Sequence, residues 1–239
     1  MTFKERLSAA KIAFWDPARV LDERLPVPAA PVDDSPATKQ MKAIGRVSST
    51  WSKGPRRWER VSQLAHDALD KTGVTEGRML EIGGRENPRN KDFPQFDYTA
   101  LDLEGAPTGG ITVQAGDITK CPHIPDESFD FIFSLDVFEH IDKPWLAGTE
   151  IQRLLRPGGV TMHSTLFSWR YHPCPIDYWR YSAEGLRSLF PDLICLHADF
   201  DMTERRRDIR GKDGNALKPD ALGGWRENVR VNYIGLKRG

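Results

Sequence analysis

The chain has 239 residues, enough to bury a substantial core in one domain with an appendage. Its 34 Lys and Arg residues balance 34 Asp and Glu, so a global polyelectrolyte partner such as nucleic acid is not expected. No apolar run approaches a membrane span, the charged N-terminus lacks an apolar signal core, and Cys121, Cys174 and Cys195 lie far apart; together these predict a cytoplasmic protein without a disulfide framework.

Phe3, Leu7, Ala10 and Phe14 recur at helical spacing and predict a short amphipathic helix. LPVPAAPVDDSPAT then carries four prolines and little to bury, as a linker or surface strap does. Residues 1–56 are therefore expected to form an appendage or lid, and residues 57–239 the main domain. RRWERVSQLAHDALDKTG places Trp58, Val61, Leu64, Ala65 and Leu69 on one helix face, closed by Gly73.

From Gly77 onward, strands alternate with loops and helices. Strands are predicted at Arg78–Ile82, Tyr98–Leu101, Ile111–Gln114, Phe129–Ser134 and Val160–Thr165. Between the last two, KPWLAGTEIQRLLRPGG reads as a helix stopped by Pro157-Gly158. A helix near Ser182–Phe190 precedes two closing strands, LICLHADF and VRVNYIGLK. The polar stretch Asp201–Glu227, with Arg205, Arg206 and Arg207, is expected to be a long loop or flap. This alternation predicts an α/β fold: a parallel sheet with helices on both faces.

In such sheets, ligands sit outside the carboxyl ends of the strands. EIGGREN follows the first strand, and Gly83 and Gly84 allow main chain to approach a ligand closely. Asp102 ends the next strand about 20 residues later, the offset at which a carboxylate accepts from ribose hydroxyls. Asp117 follows the third strand in AGDIT. Each carboxylate alone is equally a turn or cap residue, whereas the three elements in succession point to a nucleoside ligand. A dehydrogenase-like dinucleotide site competes, but the three-glycine fingerprint is absent and no helix pattern follows the loop.

The combination of LEIGG, ALDLEG, AGDITKCPHIPDESFDFIFSLDVFEHI and EIQRLLRPGG resembles the class I S-adenosylmethionine-dependent methyltransferases, of the type 11-like kind. The resemblance implies a Rossmann-like, seven-stranded, mostly parallel sheet whose last strand is antiparallel. It also implies S-adenosylmethionine as cofactor and S-adenosylhomocysteine as product. By position it puts Glu81, Gly83 and Gly84 around the methionine part of the cofactor, and Asp102, with Leu103 beside it, at the ribose. Asp117 and Ile118 would flank the adenine, and Ser134 and Leu135 would line the path to the sulfonium. Two departures stand out. Arg85 replaces a further glycine, where it is free to bind the methionine carboxylate, and GRENPRNKDFPQFD lacks the customary helix.

Methyl transfer to an alcohol gains from a general base, and histidine titrates in the useful range. His163 lies within a strand and reads as a packed residue, whereas His140 reads as a support of the cofactor site. His172 opens HPCPIDYWRYSAEGL, where Tyr171, Tyr178, Trp179 and Tyr181 alternate with Asp177 and Arg180. Aromatic faces stack on sugar or apolar rings, while aspartate and arginine grip hydroxyls and anions. The alternative is a packed lid with Trp179 in the core and Asp177 paired to Arg180. The H-x-x-P-x-DYWR run resembles a subset of bacterial methyltransferases associated with glycan or natural-product assembly. It makes His172 the expected base, Asp177 its positioning group, and Tyr171, Tyr178, Trp179 and Arg180 the acceptor-binding residues. Cys121 and His123 have no second ligand pair at metal spacing, and Asp126, Asp130 and Asp136 read as turn and strand-end residues, so no metal is expected. The expected activity is O-methylation of a small-molecule or glycan acceptor, with a homodimer allowed. N- or C-methylation, or a catalytically inactive binding protein of the same fold, are the alternatives.

Overall fold

The computed structural model describes residues 57–105, 110–169, 171–201 and 229–239. The expected N-terminal helix and linker, the triple arginine and nearly all of the expected flap lie outside them. Among the described residues, no helix is long and apolar enough to cross a membrane.

Helix α1 spans Arg57–Thr72, and Gly73 ends it at φ +74°, as the glycine in the sequence predicts. The strands are β1 (Gly77–Ile82), β2 (Phe96–Asp102), β3 (Thr112–Ala115), β4 (Phe129–Leu135), β5 (Leu155–Ser168), β6 (Leu193–Asp201) and β7 (Val229–Lys237). They form one sheet in the order β3-β2-β1-β4-β5-β7-β6. The first five strands run parallel, and β7 enters antiparallel between β5 and β6. This is the Rossmann-like, seven-stranded arrangement expected from the sequence.

Strand period sorts the side chains. In β1, Leu80 and Ile82 face one core cluster and Met79 the other. Helices α2 (Pro144–Leu154) and α3 (Ala183–Arg187) cover the first face through Ile151, Leu154 and Leu186, and α1 covers the second through Val61, Ala65 and Leu69. Ser182 caps α3 by accepting from the Gly185 N–H.

No helix lies between β1 and β2, as the proline-bearing stretch predicts. Phe93 fills that space instead. It is fully buried, 5.3 Å from the Phe131 ring and edge-on to Trp58, so one aromatic side chain plugs the sheet face that a helix would otherwise cover.

One boundary differs from the sequence reading. Helix α2 ends at Leu154, and RPGG belongs to β5. Leu155 pairs with Phe129 and Val160 with Phe131, so the residues between them form a bulge. Gly158 takes φ +78° there, a conformation that costs a glycine little. The Pro-Gly pair turns the chain within a strand rather than outside a helix.

Candidate active site

The strand order reverses beside β1, between β1 and β4, so their carboxyl ends diverge and leave a crevice. A cavity of about 510 Å³ opens there. Its walls include Gly83, Asp102, Asp117, Leu135 and His140. A larger depression of about 790 Å³ lies between α1 and the β6–β7 edge, away from these strand ends, and is lined by aliphatic residues such as Leu64, Ile194 and Leu236 with scattered charges.

The glycine loop is shaped by contacts beneath it. Gly83 has φ +77° and donates its N–H to the Leu101 carbonyl at 2.8 Å. A side chain on Gly84 would meet the Tyr98 hydroxyl oxygen at 2.5 Å and the Glu81 side chain at 2.7 Å. Glu81 is buried under the loop, where Oε2 accepts from the Tyr98 hydroxyl at 2.5 Å and from the Arg89 N–H at 2.8 Å. Burial raises the Glu81 carboxyl, and these two hydrogen bonds pull it back. Glu81 thus anchors the loop from below, and its carboxylate is already engaged on the side away from the cavity.

Asp102, at the end of β2, and Asp117, after β3, both stand on the cavity wall. Asp117 also serves as the turn residue weighed against its binding role, since Oδ1 accepts from the Thr119 N–H and hydroxyl, each at 2.8 Å. Ile118 and the exposed Leu103 complete this side. Arg85 extends across it: Nη1 lies 3.0 Å from Glu104, and Nε lies 3.8 Å from Asp102 Oδ1.

At the end of β4, Leu135 lines the cavity, but Ser134 does not reach it. Ser134 is fully buried and its hydroxyl meets His163 Nδ1 at 2.7 Å inside the sheet. His163 is the packed histidine that its strand position predicts, and burial lowers its pKa to about 3.

Asp136 is more than the strand-end residue read from the sequence. It takes φ +54°, and Arg57 grips it through both guanidinium ends, at 2.7 and 2.8 Å. Arg230 adds a contact at 3.1 Å. Burial works against the charge, yet the two arginines outweigh it and hold the Asp136 carboxyl below its ordinary range. The three residues come from α1, the end of β4 and β7, and no local spacing could have revealed them.

On the opposite side, Phe138–His140 form a 3-10 turn. The Glu139 carbonyl accepts from the N–H groups of Tyr178 (2.7 Å) and Trp179 (3.2 Å), which pins the polar-aromatic stretch against the cavity. His140 Nδ1 meets the Ile176 carbonyl at 2.7 Å. The His140 and His172 rings are 5.1 Å apart, and His172 Nδ1 lies 3.1 Å from Asp177 Oδ2. Asp177 is 1% exposed and is forked by Arg180, with Nη2 at 2.7 Å from Oδ2. The Arg180 hydrogen bonds hold its carboxyl well below the ordinary range despite burial.

The two readings of this stretch each describe part of it. Asp177 does pair with Arg180, but Trp179 is 38% exposed and meets Trp145 edge-on at 6.3 Å. Tyr171 and Tyr178 are exposed as well, whereas Tyr181 is buried and donates its hydroxyl to the Phe138 carbonyl. Trp145 belongs to this aromatic rim, since its register on α2 turns it outward.

Comparison with known proteins bears on the fold. The family model described as a methyltransferase domain matches residues 79–162. A curated relative, "Probable methyltransferase ltbC" of Aspergillus luteorubrus, is 27% identical over 107 residues, covering 44% of this chain but only 37% of its own length. Among solved structures, a Galdieria sulphuraria protein named as a sarcosine dimethylglycine methyltransferase superposes with TM-score 0.54 at 17% identity, over 75% of this chain and 86% of that one. An S-adenosylmethionine-dependent methyltransferase from Clostridium acetobutylicum superposes with TM-score 0.51 at 12% identity, over 85% of this chain and 99% of that one. The structural likenesses establish the fold. The family match adds a likeness to a methyltransferase domain over residues 79–162.

Proposed function

We propose that the protein transfers the methyl group of S-adenosylmethionine to an oxygen of a small, glycan-like or natural-product-like acceptor. The observation that carries this reading is a cavity with two unlike walls: carboxylates at consecutive strand ends on one side, and His140 with Tyr178 on the other, the His172 ring standing 5.1 Å from that of His140.

The residues present fit the cofactor. Gly83 and Gly84 keep the loop free of side chains where the methionine part would lie, Asp102 and Asp117 offer acceptors to ribose and adenine, and Leu135 lines the way to the sulfonium. Arg85 would turn from the Asp102–Glu104 pair to the methionine carboxylate, releasing Asp102 for the ribose. When bound, the cofactor supplies an electrophilic methyl group and leaves as S-adenosylhomocysteine.

The chain's own residues do the remainder. Asp177, kept ionised by Arg180, accepts from His172 Nδ1 and leaves Nε2 to take the acceptor's proton. His140, fixed by the Ile176 carbonyl, supports the same wall. Tyr171, Tyr178, Trp179 and Arg180 bound the acceptor side, where ring faces stack on a sugar or an apolar ring. Alignment of acceptor and methyl group contributes several kcal/mol, on the order of 7–11 at best.

A second reading, a binding protein without catalysis, is favoured by one observation: Arg85 lies over the carboxylate that the ribose needs. Labelled methyl transfer to a panel of hydroxylated acceptors, sugars first, separates the two. Turnover by wild type that drops about 10²–10⁴-fold in a His172→Gln/Asp177→Asn double variant, with S-adenosylhomocysteine binding retained, is the expected result. Cofactor binding without turnover of any acceptor moves the second reading ahead, and amine acceptors turned over in place of alcohols refute O-methylation.

A further inference from the structure

Glu139 is fully buried in the 3-10 turn below the histidine pair. Its Oε2 accepts from the Thr165 hydroxyl at 2.6 Å, while among the described residues Oε1 has no hydrogen-bond partner. A buried carboxylate oxygen left in that state is unfavourable. His140 Nε2 lies 3.9 Å from it.

The tautomers follow from the partners. A carbonyl oxygen only accepts, so His140 Nδ1 must carry the hydrogen that bonds Ile176, and the neutral ring presents a bare lone pair at Nε2. An ionised Asp177 also only accepts, so His172 Nδ1 donates and its Nε2 is a second lone pair. One ligand atom from each of Glu139, His140 and His172 lies within 4.8 Å of the other two. Ligand atoms of three groups therefore converge, and among the described residues the buried Glu139 Oε1 has nothing to bond.

We propose that Glu139, His140 and His172 bind a divalent transition-metal cation. Two imidazoles and one carboxylate suit zinc, cobalt or iron rather than magnesium or calcium, which prefer all-oxygen sets. The surroundings are those that orient metal ligands: each imidazole gives its other N–H to an oxygen, and the carboxylate's second oxygen is held by a hydroxyl. With bonds of about 2.0–2.2 Å in a tetrahedral set, ligand atoms stand about 3.4 Å apart, so binding draws the three groups together by up to about 1.4 Å. His172, 38% exposed on a surface segment, is the ligand with room to move. A three-residue set leaves coordination positions open towards the cavity that His140 lines.

The binding itself stands apart from the proposed function; only the ion's role rests on it. In the loaded protein the ion takes over the part of His172. A bound ion would polarise the acceptor hydroxyl and ease loss of its proton to solvent, after which the O–C bond would form as the S–C bond breaks and its electron pair goes to sulfur.

The test uses the full chain, stripped with chelator and titrated with Co²⁺ by visible absorption and with Zn²⁺ by calorimetry. One ion per chain is expected, with affinity reduced at least about tenfold in each of His140→Gln, His172→Gln and Glu139→Gln, and unchanged in His66→Gln. Loss of the buried Glu139 charge could alter folding, so the two histidine variants carry the result by themselves, with thermal melts confirming their fold. No saturable binding, or binding undiminished in both histidine variants, overturns the proposal. S-adenosylhomocysteine titrated into the same sample separates the two claims: cofactor binding without metal binding overturns the metal site alone, and metal binding without cofactor binding overturns the methyltransferase reading alone.

Discussion

Lowering the pH should destabilise this fold through His163 before most carboxylates begin to titrate. The ring is fully buried, stacked on Phe190 with centroids 5.0 Å apart and edged by Phe138 at 4.8 Å. Thr161 donates its hydroxyl to the Ile132 carbonyl at 3.0 Å, so towards His163 Nε2, 2.7 Å away, it accepts; Nε2 carries the hydrogen. Nδ1 then accepts from the Ser134 hydroxyl at 2.7 Å. Both nitrogens of the neutral ring are satisfied, and a second proton would place a charge where no water solvates it and would cost the bond from Ser134.

Burial accordingly lowers the His163 pKa to about 3, whereas an unfolded histidine titrates near 6.5. Between these values the unfolded chain binds the extra proton and the native chain does not, so stability falls as pH falls. The slope is about 1.4 kcal/mol per pH unit, which amounts to about 2 kcal/mol between pH 7.5 and pH 5. Glu81 and Glu139, whose carboxyls are raised by burial, act in the opposite direction over part of this range, so the difference between two proteins is the right quantity. Urea denaturation of wild type and His163→Gln at pH 7.5, 6 and 5 measures it. The variant should be less stable at pH 7.5 and should lose about 2 kcal/mol less than wild type on going to pH 5. Parallel losses in the two proteins would refute the neutral, buried imidazole.

Three further outcomes follow from single contacts. Gly148→Ala puts a methyl group onto the Leu189 carbonyl oxygen, backbone that cannot swing aside, and should cost about 1–3 kcal/mol in thermal or chemical unfolding. Tyr98→Phe removes a hydrogen bond to the buried Glu81 and should cost about 1–3 kcal/mol, with weaker S-adenosylhomocysteine binding read by calorimetry as the loop above loosens. Trp179→Ala removes an exposed ring at the rim and should raise the acceptor KM about two- to tenfold, from the roughly 0.5–1.5 kcal/mol of a ring contact, while cofactor affinity stays unchanged.

The parts of the molecule that are local in sequence were legible there. The apolar runs in Arg78–Ile82 and Phe129–Ser134 located β1 and β4, and the carboxylates at strand ends, Asp102 and Asp117, are found on the cavity wall because strand ends converge in this topology. What depends on distant partners was not. Glu81 looked like a ligand-facing carboxylate, yet Tyr98, on the neighbouring strand, draws it beneath the loop. Ser134 turns to a histidine on β5, and Asp136 is held by arginines 79 and 94 residues away. RPGG has every mark of a helix stop, but pairing of Leu155 with Phe129 makes it a bulged strand. A search for metal ligands by spacing passes over Glu139, His140 and His172, because the third is brought in by the Glu139 carbonyl holding Tyr178 and Trp179.

The central claim is that the crevice between β1 and β4 is a cradle for S-adenosylmethionine. Calorimetric titration of the full chain with S-adenosylhomocysteine, beside an Asp102→Ala variant, tests it most directly. Wild type should bind one equivalent with a Kd in the micromolar range, and the variant should lose at least about tenfold, the order expected for a hydrogen-bonded carboxylate. Absence of binding by wild type, or equal binding by the variant, would contradict the account.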